Sequence, residues 1–132
     1  AWDADVLLVD TIGQLTALYA LAGSAFVGGS LVRVGGHNLL EPLAAGVPVL
    51  FGPHTEHVAE IAAALTRSGA GLRVEDADAL GRSWADLATH PVEHARRVAL
   101  GREFLAANRG ALHRAVDLVL TVWDRSRSGR VA

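Results

Sequence analysis

The 132-residue chain has no cysteine, so disulfides and thiolate metal sites are excluded and the redox compartment stays open. It has no methionine, and all twelve of its basic residues are arginine, a feature read as genomic base-composition bias. Aromatic residues make up only 5%. No apolar stretch approaches the ~20 residues needed to cross a bilayer before Gly, Pro or a charge interrupts it, and no signal peptide is visible. The chain opens Ala1-Trp2-Asp3 without an initiator Met and enters an apolar run almost at once, which reads as a piece of a longer protein.

What is present is a globular composition, 51% hydrophobic and 20% charged, at a length that supports one compact domain. Charge is uneven. Residues 1–90 carry ten acids and four arginines, a net of −6, whereas residues 91–132 carry eight arginines and four acids, a net of +4. The acidic body argues against nucleic acid as a partner. The basic end, Arg125-Ser126-Arg127-Ser128-Gly129-Arg130, is either a solvated terminus or a segment drawn to an anionic membrane surface.

Short apolar runs alternate with amphipathic segments. Strands are expected at Val6–Val9, Ala25–Val27, Val47–Phe51 and Gly71–Val74. Helices are expected at Gln14–Leu21, about Leu39–Ala45, Thr55–Arg67, Asp76–Thr89 and Val92 to about Arg125, the last kinked near Gly110. Trp84 and Trp123 fall on apolar helix faces and are expected in the core. This alternation predicts an α/β fold with a parallel sheet covered by helices. Residues 1–90 form a partial Rossmann-like unit, and residues 91–132 add C-terminal helices and the basic tail. Such sheets bind ligands beyond the carboxyl ends of their strands, where this chain places Gly13, Gly28-Gly29 and Gly52.

The densest signal runs from Gly28-Gly29-Ser30 through Gly35-Gly36-His37-Asn38-Leu39-Leu40-Glu41-Pro42. Glycine lets backbone approach a ligand closely, and the start of the following helix offers unpaired N–H groups to a phosphate. Asn38 and Glu41 stand at the spacing of a helix cap and its partner. The carboxylate of Glu41 could equally accept hydrogen bonds from a ribose diol, and the two roles can coexist. Ser30, Gly35, Gly36 and His37 are candidates for the pocket wall. His54 and His57 stand three apart but lack the flanking pattern of a zinc site, and no metal or other cofactor is assigned. Asp10 and Thr11, at a strand end, suit the capping of the next helix.

Glu41-Pro42-Leu43-Ala44-Ala45-Gly46-Val47-Pro48-Val49 resembles the donor-site signature of many GT-B glycosyltransferases. Val9-Asp10-Thr11-Ile12-Gly13-Gln14-Leu15, Phe26-Val27-Gly28-Gly29-Ser30-Leu31, Gly35-Gly36-His37-Asn38 and Leu50-Phe51-Gly52-Pro53-His54-Thr55 follow in order. With Glu75-Asp76-Ala77 and Ala107-Asn108-Arg109-Gly110-Ala111-Leu112, they resemble the C-terminal domain of the bacterial Kdo (3-deoxy-manno-octulosonic acid) transferases across about residues 6–120.

The resemblance implies a GT-B, Rossmann-like donor domain of an enzyme that moves Kdo from CMP-Kdo to a lipid A precursor. That reaction belongs to lipopolysaccharide synthesis at the cytoplasmic face of the bacterial inner membrane and needs no metal for its chemistry. It implies that Ile12, Gly13 and Gln14, with Asn38, Leu39, Leu40 and Glu41, bind the CMP moiety. Gln14 replaces the Glu usual in the family, which removes a charge there, and Glu56-His57 replace the usual Phe-Asn. The family's catalytic carboxylate lies in an N-terminal acceptor domain, so no catalytic residue is assigned here and the chain alone is expected to be inactive. In the strand order 3-2-1-4-5-6, the chain begins at the third strand. Val6–Val9 should therefore lack its normal neighbours and be displaced, or pair with another chain or a separately supplied piece. A donor domain of another GT-B enzyme or of a UDP-sugar epimerase, and a non-catalytic module, are the alternatives.

Overall fold

A computed structural model describes residues 5–128, with side chains through Gly110. Helix α1 (Leu15–Tyr19) precedes strand β1 (Ala25–Val27), helix α2 (Leu40–Ala44) and strand β2 (Val49–Phe51). A 3-10 turn (Glu56–Val58) leads into helix α3 (Ala59–Ser68), followed by strand β3 (Gly71–Arg73), helix α4 (Ala77–Thr89) and helix α5 (Pro91–Ser128). The three strands form one parallel sheet in the order β1-β2-β3, with Phe26 opposite Leu50 and Leu50 opposite Leu72.

The unbroken apolar run of β2 is explained by its central place. Val49, Leu50 and Phe51 are at most 1% exposed because helices cover both faces of the strand. On one face Val27, Val49 and Phe51 pack with Leu39, Leu43, Ala62 and Leu65, and Leu100, Phe104 and Leu105 of α5 close over them. On the other, Leu50 packs with Val74, Leu80 and Leu87, so α4 covers that side. Each fully buried side chain of this size contributes roughly 1.5–3 kcal/mol by leaving water.

The helix ends follow the sequence. The Asp76 carboxylate accepts the N–H of Ala79 at 2.7 Å and starts α4, and Gly69 closes α3. Helix α5 begins one residue before the expected start and runs through Gly110 as one element.

Two expectations are corrected. Val6–Val9 is not a strand: no described residue pairs with it, and Val6 and Leu8 are 84% and 85% exposed. A β-branched run becomes a strand only where a neighbour takes its N–H and C=O groups. Trp84 is not fully buried but 43% exposed. Its ring meets Phe26 edge-on, centroids 6.4 Å apart, beside β1 where the described sheet ends. The side chains of Trp123 and of the basic segment 125–130 lie outside the described residues.

Candidate functional site

Strand β1 ends at Val27-Gly28, and the chain then turns through residues 28–38 before entering α2. This turn is anchored from below. Ser30 is fully buried. Its hydroxyl donates to the Val27 carbonyl and accepts the Gly52 N–H at 2.9 Å, while its own carbonyl accepts the His54 N–H at 2.9 Å. A Cβ at Gly52 would stand 2.2 Å from that carbonyl, so only glycine lets the segments after β1 and β2 approach so closely. Farther along, Gly36 N–H donates to Gly29 O at 3.0 Å, and His57 N–H donates to Gly35 O at 3.1 Å. The His57 imidazole lies against Gly35, whose φ of +100° and lack of a side chain the packing requires.

The anchored turn delivers Asn38 to the start of α2. Asn38 Oδ1 accepts the Leu40 N–H at 2.9 Å, and Asn38 Nδ2 donates to Glu41 Oε1 at 3.0 Å. This is a variant of a capping box: the carboxylate reaches the cap's side-chain amide rather than its backbone N–H. The second carboxylate oxygen, Oε2, has no hydrogen-bond partner among the described residues. Capping therefore holds Glu41 in place without saturating it.

Above α2, beyond the carboxyl end of β1, lies a cavity of about 520 Å³. Its polar wall is His37, Asn38 and Glu41, and its remaining lining is Leu15, Tyr19, Phe26, Val27 and Gly28. Three of the residues singled out from the sequence thus meet at one cavity, at the strand ends where open α/β sheets take their ligands.

The others are placed differently. Ser30, Gly35 and Gly36 support the turn and are absent from the cavity wall. Leu39 has no exposed surface and belongs to the core, because the first turn of α2 must bury one face against Leu43 and β2. Leu40 is half-buried, and its N–H is already taken by Asn38. Ile12, Gly13 and Gln14 are exposed and do not line the cavity; they lead into α1, whose Leu15 and Tyr19 do. The two side chains stand one helical turn apart on one face, a spacing present in the sequence that could have drawn attention to both. The Tyr19 phenol is held above its ordinary value of 10.0, first by burial and then by the negative charge of Glu41.

The paired histidines go elsewhere. His54 Nδ1 lies 3.4 Å from Glu56 Oε1, and His57 packs under the glycine turn. The Glu56 carboxyl is lowered, mainly by its own backbone N–H and then by His54. Among the described residues no three His, Cys, Asp or Glu side chains gather as a metal site.

No protein-family model matches the chain. Individual proteins do. The 3-deoxy-D-manno-octulosonic acid transferase of Haemophilus influenzae is 42% identical over 125 residues, which cover 94% of this chain and 29% of that protein. The enzyme of the same name from Bordetella pertussis is 42% identical over 86% of this chain and 26% of its own length. Among solved structures, the C-terminal CMP-Kdo binding domain of WaaA from Acinetobacter baumannii superposes with a TM-score of 0.71. The identity there is 34%, covering 74% of this chain and 51% of that one. This chain is related to the Kdo transferases. Its fold is of the GT-B C-terminal type, a parallel Rossmann-like sheet flanked by helices, and it spans under a third of the curated relatives it matches. Among the described residues no helix is long and apolar enough to cross a membrane.

Proposed function

We propose that this chain is the donor-nucleotide domain of a glycosyltransferase that moves Kdo from CMP-Kdo to a lipid A precursor, at the cytoplasmic face of the bacterial inner membrane. The observation that carries this reading is the convergence of His37, Asn38 and the half-engaged carboxylate of Glu41 on one cavity beyond β1. The relatives' names and the CMP-Kdo binding domain support it. Residues 1–90 and 91–132 act as one domain in this reading, and α5 packs along α2, α3 and α4 accordingly.

The chemistry is displacement at the anomeric carbon of the donor, with CMP leaving. This domain binds the nucleotide, and its catalytic contribution is to stabilise the phosphate charge that develops on departure. Glu41 takes the ribose. A phosphate placed beside the same carboxylate would be repelled, so the phosphate lies away from it, toward the glycine turn and His37. Ile12, Gly13 and Gln14 complete the nucleotide's surroundings from the segment before α1. The catalytic base and the acceptor belong to a part of the enzyme outside these residues.

In the full-length protein, Glu41→Ala should raise the Michaelis constant for CMP-Kdo at least tenfold, because a hydrogen bond to a charged group contributes about 1.5–3 kcal/mol. An unchanged constant, measured by steady-state kinetics, would remove Glu41 from the donor site.

A further inference from the structure

The cavity contains one polar group that the donor reading has not used. Tyr19 is the last residue of α1, which packs against α2, and it lines the same cavity as Glu41. The side chain is half-buried, and its hydroxyl has no hydrogen-bond partner among the described residues. Glu41 Oε2 is likewise unengaged. The effect of the Glu41 charge on the phenol's protonation agrees with their sharing one space.

The two groups are complementary. The phenol supplies an O–H donor, while the carboxylate supplies only acceptors. A ligand group that satisfies both at once must accept one hydrogen bond and donate another. A phosphate can accept from Tyr19 but is repelled by Glu41. An ammonium can donate to Glu41 but accepts nothing. A hydroxyl does both. We propose that Tyr19 is a specificity-determining residue of the donor site: its phenol donates to a ribose hydroxyl that itself donates to Glu41, so the cavity selects a ribonucleotide over a deoxyribonucleotide. This inference rests on the donor-site reading and deepens it.

The probes are CMP, 2′-deoxy-CMP and 3′-deoxy-CMP, titrated calorimetrically into the full-length protein and into its Tyr19→Phe and Glu41→Ala variants. Tyr19→Phe keeps the ring and its packing and removes only the hydroxyl. The wild-type protein should bind CMP at least about tenfold more tightly than one of the deoxy analogues, because that analogue loses both the neutral hydrogen bond from Tyr19 and the charged one to Glu41. Tyr19→Phe should bind CMP about three- to tenfold more weakly, the worth of one neutral hydrogen bond, and its preference for CMP over that analogue should shrink by the same factor while the part due to Glu41 remains.

Wild-type affinity for CMP in Tyr19→Phe would overturn the proposal. So would a loss of equal size for all three nucleotides, because that marks a packing role. The two readings fail separately: if Glu41→Ala weakens CMP while Tyr19→Phe does not, only the Tyr19 assignment falls. If the wild-type protein fails to bind CMP, both fall together.

Discussion

Val6–Val9 and Val49–Phe51 are built from the same kind of residue and have opposite fates. Val6 and Leu8 are more than four-fifths exposed, whereas Leu50 and Phe51 have no exposed surface. The difference lies outside both segments. Strand β2 has β1 on one side and β3 on the other, so each of its backbone groups has a partner and each of its faces a helix. Val6–Val9 has neither among the described residues. Strand character is therefore a property of the neighbourhood as much as of the residues, and an apolar run predicts a strand only on condition that its partners are present.

Truncation is the largest test of that contrast. Phe51→Ala should cost about 3–5 kcal/mol, the usual result of emptying a packed site of an aromatic ring. Leu8→Ala should change stability by less than about 0.5 kcal/mol, as exposed substitutions do. Urea unfolding of the two variants beside the parent chain measures both. A cost at Leu8 comparable to that at Phe51 would break the comparison, because the segment would then have to be packed.

A smaller effect sharpens it at the level of one hydrogen bond. Ser30 bridges the turns after β1 and β2, and its hydroxyl is the partner of a buried N–H on Gly52. Ser30→Ala should destabilise the chain by about 1–3 kcal/mol, the cost of leaving a buried donor unsatisfied. The same urea titration reads it. A neutral result would show that the turn has another means of holding its shape.

How much of this was legible in the sequence depends on whether the deciding interaction is local. Asp76 caps α4 because its partner, Ala79, is three residues away, and that pairing can be read along the chain. The Asn38–Glu41 pair is local in the same way, and both its residues reach the cavity. Strands β1 and β2 were legible because continuous apolar runs have one stable place in a covered parallel sheet.

Other placements depend on non-local contacts. Ser30 was a candidate for the pocket wall, but its hydroxyl turns toward Gly52, twenty-two residues on, and no local pattern shows that direction. Leu39 stands in the proposed donor loop, and its side chain packs in the core with Leu43, Val49 and Phe51, a contact that the strand supplies from farther along the chain. Trp84 lay on an apolar face whose cover was assumed. The spacing of Leu15 and Tyr19 places both on one helix face, but only the fold brings that face to the cavity that Glu41 lines.

The smallest effect concerns two carboxylates that face different demands. Glu41 keeps an oxygen unengaged, whereas Glu93 is occupied by Arg97 at 2.6 Å and Arg96 at 3.1 Å, and Arg97 also donates to the Gly69 carbonyl at 2.9 Å. A carboxylate saturated in this way ties α5 to the end of α3 and has no capacity left for a ligand. The Arg97 hydrogen bond holds the Glu93 carboxyl below its ordinary value of 4.5, with Arg96 adding to the effect. A group whose folded value is depressed contributes stability that is present above the unfolded value and is lost as pH falls through the folded one. Glu93→Gln should therefore lower stability slightly at neutral pH and make no difference once the pH is well below 4.5, and added salt should shrink the neutral-pH gap. Thermal melts of the two proteins from pH 7 to pH 3 measure this. A gap that persists unchanged at low pH would mean that Glu93 acts through packing, and that its contrast with Glu41 is one of position instead of charge.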